Sequence, residues 1–504
     1  MGPCNHRNIS LVRGFCQCYT AVMHWLSARV HPTWHFTALC LGVVVGTAVA
    51  RETVHLNDIV LLVITVILTV LSFSSARRVM IVTALFAGCT FGLWRGGAHA
   101  ASLAIYRDLY ATTVTLRGRV VRDADKNSRG QIIIQLGDIH KNEMPLPGEL
   151  RVTLASANYA IQRSDTIIVR GFVERGYGGL GGVMDDATIV SVSREKGGDI
   201  ARTVRDWFAI QVHTAISSPA SDLGVGYLLG QKSALPVDLE ESLRIAGLTH
   251  IVVASGYNLM VLVRLTRRIF APISKYLAVL SGGTLVMGFI AITGASPSMT
   301  RAGIVAGLGL WAWYYGRKFH PVTLLLFAAA ATVLLNPTYA WGDVGWQLSF
   351  AAFAGVMIVA PLIRAYFYGN EKPAFVSQLA GEAIAAQIMT APIIMAVFGQ
   401  FSNISIIANL LVLPFVPLAM LLVAFAGIGS AIFPAFAAVF GWPAQVVLDA
   451  MVAVIEWCAS VSWAHAEVAL SWWGVVLWYC VLAGALTYVK WRTQYRLYDA
   501  SIVD

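Results

Sequence analysis

Charge is what this 504-residue chain has least of: only 12% of its residues are Asp, Glu, Lys or Arg, against 57% hydrophobic, and its mean hydropathy is +0.67. That balance excludes a soluble globular protein and leaves a polytopic α-helical membrane protein. The net charge of +9 does not by itself point to nucleic acid, since Lys and Arg gather in the cytoplasmic loops of any such chain. Cysteine is sparse as well. The seven present, at 4, 16, 18, 40, 89, 458 and 480, all lie outside the polar block of residues 107 to 200, which excludes a disulfide within it. Cys16 and Cys18 lack a second pair or a His cluster at zinc spacing, so neither a metal site nor a cofactor is expected. No Walker-type GxxxxGK[ST] loop occurs, so any motor must be another protein.

Apolar runs long enough to cross about 30 Å of hydrocarbon lie near 36 to 50, 58 to 74 and 79 to 95. After the polar block they resume near 245 to 263, 276 to 293, 301 to 316, 321 to 336, 345 to 363, 382 to 398, 405 to 425, 433 to 457 and 470 to 489. The expectation is about twelve spans. Basic residues test it: Arg7, Arg13 and Arg29, then Arg77 and Arg78, then Arg264, Arg267, Arg268 and Lys275, then Arg317 and Lys318, Arg364 and Lys372, and Lys490, Arg492 and Arg496 all fall on one side. By the positive-inside bias that side is cytoplasmic, which puts both termini inside and the polar block outside a cytoplasmic (inner) membrane. The turn at 426 to 432 carries no charge and gives its two spans no such support. The early runs recur and begin well inside the chain, so residues 1–106 read as an anchor of about three spans rather than a signal peptide.

Within the polar block, TVTLRGRVV, QIIIQLG, ELRVTLA and TIIVRGFVE alternate apolar and polar residues between turn-forming Asp, Asn, Gly and Pro. Such spacing predicts a small extracytoplasmic β-barrel over 107–200. Its charges nearly balance and its aromatics are few, Tyr159, Phe172 and Tyr177, so it either binds a strand or props and gates the membrane part. Residues 201–222 follow, with Val204, Phe208, Val212 and Ile216 on one stripe. The stripe predicts a helix on the membrane surface, with a core-facing helix as the alternative.

In that order, an early anchor, an outer β-barrel, SLRIAGLTHIVVASGYNLMVLV, GASPSMTRAGIVAGLGLWAWYYGRKFHPVTLLLFAAAATVLLNP and WGDVGWQLSFAAFAGVM resemble the ComEC competence-channel family, which carries single-stranded DNA across the cytoplasmic membrane in natural transformation. The resemblance spans about 80 to 430 and rests on three blocks in the family's order. It implies an OB-fold domain outside, a helical channel domain over 223–489 and a cytoplasmic tail over 490–504. The first block departs from the family's small-Gly-apolar-His arrangement: Tyr257 and Asn258 stand where many members have Leu and His, which puts in doubt any role needing an imidazole there. Many members also end in a metallo-β-lactamase-like nuclease. No HxHxDH motif is found here, so a separate nuclease and a cytoplasmic motor are the expected partners, beside DNA and membrane lipid.

The residues of the three blocks suit one path. His250, Ala254 and Asn258 stand four apart and share a face if their helix is continuous, while the pair Ser255 and Gly256 could break it beside a cavity. A buried core histidine is the bland alternative for His250. Ser298 and Arg301 follow Pro297 at a helix N-terminus, where free N–H groups, the dipole and a guanidinium favour phosphate; an interfacial anchor is the other reading. Asp343 either caps its helix or pairs with Arg301, with Gln347 one turn on and Ser349 beside it. Glu382, Gln387, Asn403 and Asn409 form a second polar set, and polar residues at that depth point to a bundle interior or a pathway. Two other functions compete with a DNA channel. A small-molecule or lipid transporter shares such groups but predicts inverted repeats, and no clear repeat appears. An intramembrane hydrolase would use Ser255 with His250 as base, yet five residues separate them and no acid partner is near. The chain is therefore not expected to be an enzyme.

Overall fold

The computed structural model describes residues 31–51, 58–74, 79–126, 131–154, 161–194, 199–231, 235–252, 256–294, 297–316, 320–369, 371 and 373–495. Two compact units divide the chain: Met1–Ser102 with Ala329–Trp341, and Leu103–Ala328 with Gly342–Asp504.

The first unit holds α1 (Pro32–Val49), α2 (Asp58–Ser74) and α3 (Val79–Leu103). Hydrocarbon gives helices no hydrophobic reason to associate, so close packing must do it, and small residues permit the approach. Gly42 and Gly46 on α1 meet Gly88, Gly92 and Gly96 on α3. A Cβ built on Gly88 would lie 2.0 Å from the Leu39 carbonyl, and one on Gly42 2.1 Å from that of Leu85. Residue numbers rise together along the seam, so α1 and α3 run parallel with α2 as the return. Thr47 Oγ1, satisfied by Val43 O at 2.8 Å, also reaches Gly92 O at 3.4 Å.

The second unit begins with the barrel. Its strands are β1 (Thr112–Val120), β2 (Asp125–Lys126), β3 (Ile132–Lys141), β4 (Met144–Leu146), β5 (Glu149–Leu154), β6 (Thr166–Arg175) and β7 (Leu180–Ser193). The pairings β1–β6, β6–β7, β7–β5, β5–β3 and β3–β1 close a ring of five strands, antiparallel except for β5–β7. Period-two alternation sends Leu116, Val120, Ile134, Leu136, Leu150, Val152, Ile167 and Val169 inward, and Tyr106 plugs the end against Gly181. All four predicted strands are present. The fifth, β7, carries Asp185 and Asp186 in its middle, and the positive φ of Asp186, 50°, marks a bulge that breaks the alternation.

Helices complete the unit: α4 (Ile200–Ala215), α5 (Ala220–Leu229), α6 (Val237–Ile245), α7 (Thr249–Val252), α8 (Gly256–Phe270), α9 (Lys275–Thr293), α10 (Pro297–Tyr314), α11 (Pro321–Leu335, which passes into the first unit), α12 (Thr338–Gly342), α13 (Val344–Ala354) and α14 (Ala360–Tyr368). After them come α15 (Phe375–Phe398), β8 (Gln400–Ser402), α16 (Ser405–Val412), α17 (Val416–Ile432), α18 (Ala437–Ser460), β9 (His465–Glu467), which pairs with β8, and α19 (Trp472–Thr493). A π-turn at Gly355–Val359 joins α13 to α14 where Gly355 approaches the backbone of Ala385. Among the described residues eight helices are long and apolar enough to cross a membrane, and Asp58–Phe73 and Pro321–Leu335 are apolar but shorter. Of the twelve runs expected as spans, 301 to 316 overlaps α10, which is not among those eight, and 245 to 263 is interrupted at Gly247, between α6 and α7. Of the α4 stripe, Val212 and Ile216 are buried and Phe208 packs on Gly427, the core-facing alternative, while Val204 is exposed and Arg205, Ala209 and Ala215 are buried beside the stripe.

Gly88→Leu is expected to force α1 and α3 apart and cost about 1–3 kcal/mol or more, while Gly97→Leu, with nothing near its Cβ, stays near neutral; thermal unfolding of the detergent-solubilised protein measures both. A second outcome concerns Asp199, which caps α4 through the Arg202 amide at 2.9 Å. Burial alone would raise its carboxyl, but the guanidinium of Arg163, the Arg202 amide and the Ser164 hydroxyl overcome this and hold it at about 2, below the ordinary 3.8. A depressed carboxyl contributes stability that is complete above about 3.8 and is lost as pH falls through about 2. Amide-exchange protection at Arg202 should therefore be flat from about pH 8 to 5 and decline only under strong acid.

Candidate functional site

The first block folds as an elbow. Gly247, at φ +72°, ends α6 in the left-handed region, and a Cβ there would lie 2.6 Å from Cβ of Ser405. Ser402 Oγ donates to Ile245 O at 2.7 Å, Gln387 Nε2 donates to Ser402 O at 3.1 Å, and Gln387 Oε1 accepts from Ser405 Oγ. Asn409 Nδ2 donates to Ser405 O at 2.8 Å. One hydrogen-bonded chain thus ties the elbow to α15 and α16, and it joins the first block to Gln387 and Asn409 of the second polar set. Asn403 donates to Trp463 O at 3.0 Å instead. Arg244, bonded to Glu241 at 2.9 and 2.5 Å, reaches Gln400 at 2.5 Å on the exposed side.

Of the expected shared face, His250 stands on α7 and Asn258 on α8, and Ala254 between them lies outside the described residues. Ser255 lies outside the described residues. His250 is exposed and its Nδ1 sits 3.1 Å from Gly247 O. Asn258 is fully buried; its Nδ2 donates to Tyr227 O at 3.0 Å and to Ile251 O at 3.3 Å. A polar side chain here serves the backbone.

The second and third blocks meet at Arg301. It is only 4% exposed, and its guanidinium lies over the Phe350 ring of α13, 5.0 Å from the centroid. Ser298, half-buried, stands in the first turn of α10. Asp343 does not pair with Arg301: its Oδ1 accepts the Trp346 N–H at 2.7 Å, capping α13, the expected alternative. Gln347 follows one turn on, its amide bonded to Asp343 O at 3.1 Å, and Ser349 is half-buried beside Phe350. Glu382 stands apart from Gln387, accepting from Gln378 Nε2 at 3.0 Å. Among the described residues no three His, Cys, Asp or Glu gather as a metal site.

The barrel reaches the same region. Its β6–β7 turn places Gly178 so close to Gly342 that a Cβ on Gly342 would lie 2.5 Å from the Gly178 Cα, next to Asp343. Burial pushes the Glu149 carboxyl up; Arg122 opposes this and Asp343 adds to it. Above it Arg151 donates to the Tyr177 hydroxyl. Ser402, Ser405, Tyr227 and Phe350 are the participants that sequence reasoning passed over. Asn403, between the two serines, was the signal that could have led to them; Phe350 had none.

A family model described as Competence protein matches residues 227–493, more than half of the chain. ComE operon protein 3 of Bacillus subtilis (strain 168) is 28% identical over 140 residues, which cover 28% of this chain and 17% of that protein. The match therefore spans about a sixth of the relative's length. No solved structure matches.

Asn258→Ala should cost about 1–3 kcal/mol through the loss of its two buried hydrogen bonds, and Asn258→Asp more, since a carboxylate would face both carbonyls; unfolding midpoints in detergent decide the order.

Proposed function

Because the chain belongs to the Competence protein family, we propose that it conducts single-stranded DNA across the cytoplasmic membrane in DNA uptake. The observation that carries this reading is Arg301. A permanent charge buried in an apolar helical domain is costly and is kept where a pathway or ligand needs it. It stands near the N-terminal end of α10, where free amides and the dipole add to the attraction for phosphate. In this reading Ser298, Arg301, Gln347 and Ser349 line the path with Asp343 at its rim. The elbow of His250, Ser255 and Asn258, braced by Gln387, shapes the path on the other side, and Glu382 flanks it.

The same reading makes the barrel an extracytoplasmic OB-fold, supported by its five-strand ring with β5 and β7 parallel. Both termini are cytoplasmic, up to twelve segments cross the bilayer, and lipid surrounds them. The chain performs no bond chemistry. A separate nuclease removes the other strand and a cytoplasmic motor supplies the work.

A second reading, a small-molecule transporter, is favoured by the elbow at Gly247 beside the Gln387 chain, since interrupted helices at polar groups also serve transporters.

Labelled DNA entering the cytoplasm of competent deletion cells, complemented at matched protein levels, tests the reading. Wild type restores uptake; Arg301→Ala lowers it about 10-fold or more, as expected for losing a charge-assisted phosphate contact, and Arg301→Lys recovers part. Unchanged uptake on deletion would overturn it and bring the transporter reading forward.

A further inference from the structure

Arg163 lies outside all three blocks, in the turn before β6, yet it is only 5% exposed. Its guanidinium forks onto Asp199, Nε to Oδ2 at 2.8 Å and Nη2 to Oδ1 at 3.1 Å. Attaching the barrel to α4 requires no more than that. The remaining N–H groups go elsewhere: Nη1 donates to Ile292 O at 3.1 Å and Nη2 to Ala291 O at 3.3 Å. Those carbonyls close the last turn of α9, where a helix leaves its carbonyls without N–H partners and its dipole favours a cation. Gly294 follows at φ +88°, so close that a Cβ would lie 2.6 Å from Nη1. Three residues later α10 begins, with Ser298 in its first turn and Arg301 just beyond.

Arg163 itself is held from several sides. Asp199 also accepts from Ser164 Oγ at 3.0 Å and from the Arg202 amide, while Arg202 Nη1 donates to the Arg163 carbonyl at 2.6 Å. Beside it Arg205 bonds Asp123 of the β1–β2 turn, and Arg194 bonds Asp165 at 2.9 Å. The four arginines face Asp123, Asp165, Asp199 and Asp206, so the joint is charge-balanced and stiff.

We propose that Arg163 is a positioning residue for the Arg301 helix: by holding the C-terminal end of α9 from the barrel, it fixes the helix against which α10 packs, Ile290 against Gly303, and hence where α10 presents its first turn. The proposal rests on the reading of Arg301 as part of the DNA path. Its geometric half stands without DNA, and the test separates the two.

Two readouts are taken on the full-length protein in its membrane. One is DNA uptake by Arg163→Ala, Arg163→Lys and Asp199→Asn at matched levels. The other is the labelling rate by a membrane-impermeant maleimide of Ser298→Cys, placed in a chain whose seven cysteines are replaced by serine. Arg163→Ala is expected to lower uptake and shift the labelling rate by about fivefold or more, the lower range of site-to-site coupling. Asp199→Asn keeps its acceptor oxygen for α4 and leaves Arg163 its two carbonyls, so it should stay near wild type in labelling. If Arg163→Ala fails to accumulate, Arg163→Lys serves in its place: it retains the charge but cannot fork to Asp199 and both carbonyls together, so it shifts labelling in the same direction. Equal defects in Asp199→Asn and the Arg163 variants would show that mere attachment matters and overturn the proposal, as would unchanged labelling in the Arg163 variants. A labelling shift in a protein whose Arg301→Ala variant takes up DNA normally would uphold the positioning and remove only the DNA reading.

Discussion

A carbonyl or amide left without a partner in hydrocarbon costs several kcal/mol, so a helix can end there only where another group takes over its backbone atoms. The helical domain answers this demand repeatedly with a side chain brought from elsewhere. Asn258 takes the Ile251 carbonyl, Ser402 takes that of Ile245, Asp343 takes the Trp346 amide, and beside the barrel Arg163 takes Ile292 and Ala291. The breaks fall in or beside the three blocks, so the groups that make the site geometrically possible are also the ones that close its backbone accounts. This explains why several polar residues there turn away from any path: their first duty is to the chain.

That duty also marks the limit of what the sequence could tell. Alternation was visible in β1, β3, β5 and β6 because each strand buries one face; β7 was hidden because Asp186 shifts its register in mid-strand. Apolar length was visible wherever a helix runs unbroken. It misled at 245 to 263, where Gly247 turns the chain between α6 and α7 inside a run that hydropathy reads as continuous. Arg205, beside the α4 stripe, was missed for another reason: charged and apparently outward, it is drawn inside by Asp123 and Asp206. As for the site, the polar residues were legible by their incongruity, but their partners were not. Ser402 pairs with Ile245 across 157 positions and Arg163 with Ile292 across 129, distances over which residue spacing carries no information.

Between Arg301 and Asp343 lies the choice that decides whether the site can hold an anion. A buried arginine paired with a carboxylate would be neutral, and a phosphate would have to displace a partner of its own charge. Asp343 is committed to capping α13, so this carboxylate does not neutralise the guanidinium, which lies over the Phe350 face. A desolvated cation over an aromatic ring gains about 2 kcal/mol or more, and each charge-assisted hydrogen bond to a phosphate contributes about 1.5–3 kcal/mol, so a phosphate accepting two such bonds outweighs the ring. Under the proposed reading a passing phosphate can therefore draw the guanidinium off the ring, and the ring recovers it once the phosphate has moved on. The Phe350 face, unlike a carboxylate at the same distance, adds no negative charge for a passing phosphate to displace.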